Sequence, residues 1–141
     1  MGWELKMEKH LFFIDDDDAF LHLLERTCRK IEEVTQVSCA PHGKSALNQL
    51  DDLLKAEKEL PHIAFIDINM PVMDGFEFLE CFKEKREQFL RLKEILPVVM
   101  LTSSENEVDK EKAFSTGIVS EYIVKPYDIV EMENIIRKLI A

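Results

Sequence analysis

The sequence predicts an α/β domain in which a five-stranded parallel sheet lies between two layers of helices, and three observations lead to that class. Short runs apolar on both faces, such as "HLFFI" at 10–14, "IAFI" at 63–66 and "LPVVML" at 96–101, have the composition of strands buried on both sides. Segments with apolar residues at helical spacing separate these runs, and strands that alternate with helices build parallel sheets through right-handed crossovers. Finally, acids, hydroxyls and a lysine recur directly after the strands, at the edge where open α/β sheets hold their ligands.

The elements follow in order. After "HLFFI", Phe20, Leu23, Leu24, Cys28 and Ile31 recur at the spacing of one helical face. "QVSCA" at 36–40 is a weaker second strand, followed by Ala46, Leu47, Leu50, Leu53 and Leu54 on one face of a second helix. "IAFI" is the third strand, and a helix rich in Lys and Glu begins near Phe76. "LPVVML" is the fourth. The short polar helix after it, roughly 107–116, has only Val108, Ala113 and Phe114 as an apolar face, which suits an element that shifts cheaply. "IVSEYIV" at 118–124 is the fifth strand, ahead of Ile129, Met132, Ile135, Ile136 and Leu139 in a last helix. Two stretches, "DDLLKAEKELPH" and "CFKEKREQFLRLKEILP", are longer than a compact domain of this kind needs, so the second and third helices or their following loops are expected to be extended.

Composition limits the functions open to such a domain. With 141 residues, 46% hydrophobic and 33% charged, the chain suits one globular domain. A net charge of −10 argues against direct nucleic-acid or anionic-membrane binding, because both need basic clusters. Cys28, Cys39 and Cys81 are odd in number and form no CxxC pair, so neither a disulfide framework nor a zinc site is expected, and a reducing cytoplasm is the simplest setting. There is no apolar run of spanning length. Glu4 and Glu8 interrupt the region a signal peptide would need, and Gly2 lacks the hydroxyl residue at position six that myristoylation requires. His10, His22, His42 and His62 show no metal spacing and are expected in surface or packing roles.

The strand ends carry the chemistry. Asp15, Asp16, Asp17 and Asp18 follow the first strand; Asp67 follows the third, with Asn69 two residues on; Thr102, Ser103 and Ser104 follow the fourth; Lys125-Pro126 follows the fifth. Crowded carboxylates raise one another's pKa, and keeping them ionised requires a cation. All-oxygen ligands select Mg²⁺ or a similarly hard ion. A hydroxyl and an ammonium beside them suit the peripheral oxygens of a phosphoryl group, which makes Asp67 a candidate nucleophile.

"FFIDDDDAF", "IDINMPVMDG", "VVMLTSS" and "EYIVKPY", in that order, resemble the signature of the receiver domain of two-component response regulators. The similarity runs from about Lys9 to Leu139, so residues 1–8 read as an N-terminal extension and 9–141 as the receiver domain. It implies a flavodoxin-like (βα)5 fold with strand order 2-1-3-4-5. By the same resemblance Asp67 is the phosphoacceptor, Asp16 the direct metal ligand, Asp15 its partner, and Asn69 a backbone-carbonyl ligand of Mg²⁺. Thr102 resembles the switch hydroxyl, Tyr122 the switch aromatic and Lys125 the phosphate-binding lysine. The implied function is that of a single-domain signalling receiver and not of an enzyme acting on other molecules. Its phosphoryl donor would be a phosphohistidine on a sensor histidine kinase or a histidine phosphotransfer protein, and its output a switched surface for a downstream protein.

Blander readings and one rival compete with this. Asp17 and Asp18 suit the N-terminus of the first helix, and Asp74 with Glu77 and Ser104 with Glu107 have the spacing of capping boxes. Tyr122 alone reads more often as a core strand residue than as a switch, and only its position three before Lys125-Pro126 raises it. The rival is an aspartyl-phosphate phosphatase of the haloacid dehalogenase type, with Asp15 and Asp17 as its acidic pair. It leaves Asp67 unexplained and lacks a later acidic pair after "EYIV". No EF-hand loop starts at Asp15 or Asp67.

Overall fold

The computed structural model describes residues 8–95, 97–126 and 128–141, so the extension expected at 1–8 lies, apart from Glu8, outside the described residues. Five strands and five helices alternate: β1 (Lys9–Ile14), α1 (Asp18–Arg29), β2 (Val34–Ala40), α2 (Gly43–Lys55), β3 (Ile63–Ile66), α3 (Gly75–Gln88), β4 (Val98–Thr102), α4 (Glu107–Ser115), β5 (Val119–Val124) and α5 (Ile129–Ile140). A 3-10 turn, Leu90–Glu94, follows α3. The strands pair in parallel in the order β2-β1-β3-β4-β5. The chain therefore leaves β1 toward one edge and returns to build the other, and the reversal falls between β1 and β3.

Alternation along each strand divides the core into two layers. Phe12, Ile14, Ala64, Ile66, Val98 and Met100 face Leu47, Leu50, Phe78, Leu79 and Phe82 of α2 and α3. Leu11, Phe13, Ile63, Phe65, Val99 and Leu101 face Leu24 and Cys28 of α1 and Met132, Ile136 and Ile140 of α5. Both faces of the central strands are thus covered, as their uninterrupted apolar composition requires. Burying each large side chain stabilises the fold by roughly 1.5–3 kcal/mol relative to exposure. Phe13 and Phe65, on adjacent strands, stack with ring centroids 4.7 Å apart.

The structure refines several expectations. β2 starts at Val34, two residues before the expected run; it is an edge strand with Thr35 and Gln36 exposed, which hides its beginning from an apolar pattern. α3 ends at Gln88, and extended Phe89 leads into the 3-10 turn, so the first half of the long third segment belongs to α3 and its second half is a connection built around a 3-10 turn. Asp17 caps α1 by accepting from the Phe20 amide at 3.1 Å, and Asp74 and Glu77 form the expected capping box on α3. The box expected from Ser104 and Glu107 does not form. Asn106 caps α4, its Oδ1 accepting from the Val108 amide at 2.9 Å, because the helix starts two residues later than such a box needs. No helix among the described residues is long and apolar enough to cross a membrane.

At the end of the sheet where β1 begins, His10 is buried at 3% exposure. Its Nε2 lies 2.7 Å from the Ser38 hydroxyl, its amide donates to His62 Nδ1 at 2.9 Å, and its Nδ1 has no partner among the described residues. Burial, with His62 beside it, pushes the His10 pKa below 6.5 against the pull of Glu59. The unfolded chain therefore takes up this proton first as pH falls. The stability His10 contributes is present above about pH 6.5 and is lost as pH drops below it toward the folded-state value. The urea midpoint is expected to be lower at about pH 5.5 than at about pH 7.5, and His10→Gln to flatten that slope; an equal slope in the variant would refute the assignment.

Candidate functional site

Strand register assembles the site. Ile14 pairs with Ile66, so Asp15 and Asp67 emerge side by side at the point where the strand order reverses; the Asp67 amide donates to the Ile14 carbonyl at 3.0 Å. Thr102 pairs with Val124, and the Lys125 amide donates to the Thr102 carbonyl at 2.8 Å, which launches the lysine side chain from the far edge. Lys125 Nζ reaches back to Asp15 Oδ2 at 2.7 Å and Asp67 Oδ2 at 3.1 Å. Each carboxylate's other oxygen is held by backbone: Asp15 Oδ1 accepts from the Asp17 amide at 2.9 Å and Asp67 Oδ1 from the Ile68 amide at 2.8 Å. Over the ammonium lies the ring of Phe20, 4.5 Å from Nζ to centroid.

One ammonium does not balance the charge present. Asp15 and Asp67 are 3% and 7% exposed, and Asp16 is exposed beside them; one ligand oxygen from each lies within 4.8 Å of the others. Burial pushes the Asp15 carboxyl above its usual range and Asp67's charge adds to that, against the hydrogen bonds from Lys125 and the Asp17 amide. Burial also pulls Lys125 down, but Asp15 and Asp67 more than offset it and leave its pKa above the usual 10.5. The donor set is all oxygen, carries excess negative charge and has one side exposed at Asp16. That combination fits a hard divalent cation and leaves thiolate- or imidazole-seeking metals without a ligand.

Thr102 is fully buried at the end of β4. Its Oγ1 accepts from the Ser104 amide at 3.2 Å, and among the described residues nothing accepts its own proton. Half-buried Tyr122 packs against the α2–α4 core, and its hydroxyl donates to the Ser104 carbonyl at 2.9 Å. It therefore meets the turn after Thr102 and not Thr102 itself. Asn69 is exposed in the β3–α3 loop. That loop is tight: the Met73 amide donates to the Pro71 carbonyl at 2.7 Å around Val72, whose φ of 66° is uncommon for a β-branched residue. Gly75 closes it, with its amide on the Ile68 carbonyl at 2.8 Å and its Cα against the Asp67 backbone.

Of the residues the sequence points to, the fold brings Asp15, Asp16, Asp67 and Lys125 together, and it sets Thr102 at the end of β4 beside them in the sheet order. The sequence assigned Phe20 only to a helical face, and neither the clamp of Gly75 on Asp67 nor the links of Ser104 have a signal in spacing alone. For the phosphatase alternative, Asp17 is the wrong partner: its carboxylate caps α1, while Asp16 joins the acidic cluster.

The family model for the response regulator receiver domain matches residues 11–137. The chain belongs to this family. It is 32% identical over 128 residues to an uncharacterized 14.6 kDa protein in the sodA1 3′ region of Leptolyngbya boryana, covering 91% of this chain and 87% of that one. It is 35% identical over 121 residues to the heme response regulator HssR of Staphylococcus haemolyticus, where 84% of this chain aligns with 46% of the longer regulator. Among solved structures, a two-component response regulator from Cytophaga hutchinsonii superposes with a TM-score of 0.76 at 31% identity, over 94% of this chain and 97% of that one. The phosphorylated cyanobacterial phytochrome response regulator RcpA also reaches 0.76, at 26% identity over 93% and 90% of the two chains. This receiver is a signalling domain, and no finding supports the dehalogenase-type alternative.

The contact at Gly75 yields a prediction. A Cβ there would collide with the Asp67 carbonyl oxygen, a backbone atom that cannot turn away. Gly75→Ala is expected to lower stability by about 1–3 kcal/mol in urea unfolding; a midpoint equal to that of the native protein would mean the loop yields freely.

Proposed function

We propose that this receiver takes a phosphoryl group on Asp67 from a phosphohistidine of a sensor histidine kinase or phosphotransfer protein, and that the change at Asp67 alters a surface read by a downstream protein. The observation that carries this reading is the bridge of Lys125 between two buried carboxylates at the strand-order reversal. An Asp67 oxygen attacks phosphorus in line, the bond from phosphorus to imidazole nitrogen breaks, and the electron pair leaves with the imidazole. Lys125, already 3.1 Å from Asp67, needs little movement to hold a phosphoryl oxygen. The unclaimed proton of Thr102 is available to a second oxygen. Asp15, Asp16 and Asp67, with the Asn69 carbonyl, would hold Mg²⁺, which when bound offsets charge on the acidic cluster and the incoming phosphoryl group.

In this reading Phe20 keeps the ammonium aimed at the carboxylates, and Tyr122 senses the position of the β4–α4 turn. The receiver acts on itself alone, gaining and losing its own phosphoryl group. A cytoplasmic setting follows from the proposed kinase partner, and the net charge of −10 favours a basic protein surface over nucleic acid as the downstream contact.

Incubation with acetyl phosphate and Mg²⁺ is expected to add one phosphoryl group by intact mass, with no addition in EDTA or in Asp67→Asn. An adduct that persists in Asp67→Asn would place the nucleophile elsewhere. An adduct formed equally well in EDTA would remove the metal from the reaction.

A further inference from the structure

Ser104 makes four hydrogen bonds, and together they tie the β4–α4 turn to the end of β4, to β5 and to the start of α4. Its amide donates to Thr102 Oγ1 at 3.2 Å, and its carbonyl accepts from the Tyr122 hydroxyl at 2.9 Å. Its hydroxyl donates to Asp109 Oδ2 at 2.7 Å, inside the first turn of α4, and accepts from the amide of Asn106, the α4 cap, at 3.3 Å. One residue thus connects the buried hydroxyl of β4, the aromatic of β5 and the start of α4.

What else holds α4 is sparse. Of its nine residues only Ala113 is buried; Val108 and Phe114 are 67% and 42% exposed. Among the described residues a further lateral tie is Lys112, whose ammonium lies 4.3 Å from the Phe76 ring centroid on α3. A helix with so little apolar burial depends heavily on polar contacts at its end. The bond from Ser104 Oγ to the Asp109 carboxylate, at 2.7 Å, is the shortest of the four.

We propose that the Ser104–Asp109 hydrogen bond is a latch that fixes the first turn of α4 to the β4–α4 turn and so couples α4 to the state of Asp67. With the latch closed, a displacement of Thr102 Oγ1 toward a ligand on Asp67 pulls on the Ser104 amide, and the same residue carries that pull to Tyr122 and to Asp109. With the latch open, Thr102 still moves, but α4 no longer follows. Ser104 is a positioning residue here and touches no reacting atom. The coupling half of the proposal rests on Asp67 as the phosphoacceptor; the attachment of α4 does not.

The test uses amide hydrogen exchange across the whole chain and the NMR signals of a ¹³C-labelled Tyr122 ring, before and after acetyl phosphate with Mg²⁺. Ser104→Ala is expected to speed exchange in α4 about tenfold while the central strands stay unchanged, and Ser104→Thr, which keeps the hydroxyl, to restore native exchange. Asp109→Ala is expected to act like Ser104→Ala, and the double variant to be no worse than either single one. In the native receiver the donor shifts the Tyr122 signals and changes exchange in α4. In Ser104→Ala, which keeps the backbone bonds to Thr102 and Tyr122, the mass adduct and the Tyr122 shift still appear, but the donor no longer changes exchange in α4. Native-like exchange in Ser104→Ala, additive effects in the double variant, or a donor-induced change in α4 as large in Ser104→Ala as in the native protein would each overturn the latch. Absence of the adduct in the native protein would count against the Asp67 reading alone, because the exchange comparison decides the attachment of α4 without it.

Discussion

The placing of Lys125 between Asp15 and Asp67 is the constraint on which the rest of the site depends. Two buried carboxylates side by side repel, and the ammonium held against both offsets that repulsion. The lysine comes from β5, two strands away from Asp67, so the sheet must hold its register from β1 to β5 for the bridge to close. The buried apolar layers on either side supply that rigidity. In turn they confine exposed polar chemistry to the strand ends, where the backbone amides of Asp17 and Ile68 help carry the carboxylates' charge.

The bridge leaves the site incomplete. Even with Lys125 in place, burial still holds the Asp15 carboxyl above its usual range, so further positive charge at this point would lower the energy of the folded state. A site that favours cations and has a lysine poised beside a candidate nucleophile stores electrostatic energy that binding can release. This is a physical reason for the exposed Asp16 to lie next to two buried acids.

Much of this was legible in the sequence because the governing patterns are local. Runs such as "IAFI" betray strands covered on both faces, and the residue after each strand is a readable position, which is how Asp15, Asp67, Thr102 and Lys125 could be grouped before any coordinates. The details that escaped are those set by packing between distant segments. Phe20 looked like one more member of an apolar helical face, although its ring covers Lys125. Gly75 gives no hint in sequence that its Cα rests on the Asp67 backbone. Ser104 has the spacing of a capping box with Glu107, yet its hydroxyl turns to Asp109 because Asn106 begins the helix. Spacing identifies which partners are possible, and tertiary geometry chooses among them.

The most direct test of a site completed by a divalent cation is the thermal midpoint as a function of Mg²⁺, in the native receiver and in Asp16→Asn. Asp16 is exposed, so the substitution leaves the core and the Lys125 bridge in place. Binding to the folded state alone stabilises it by ~2.7 kcal/mol when free Mg²⁺ is about 100-fold above its dissociation constant. The native midpoint should therefore climb by several degrees with rising Mg²⁺, and that of Asp16→Asn should climb much less. A native midpoint indifferent to Mg²⁺, or an equal climb in both proteins, would contradict the account.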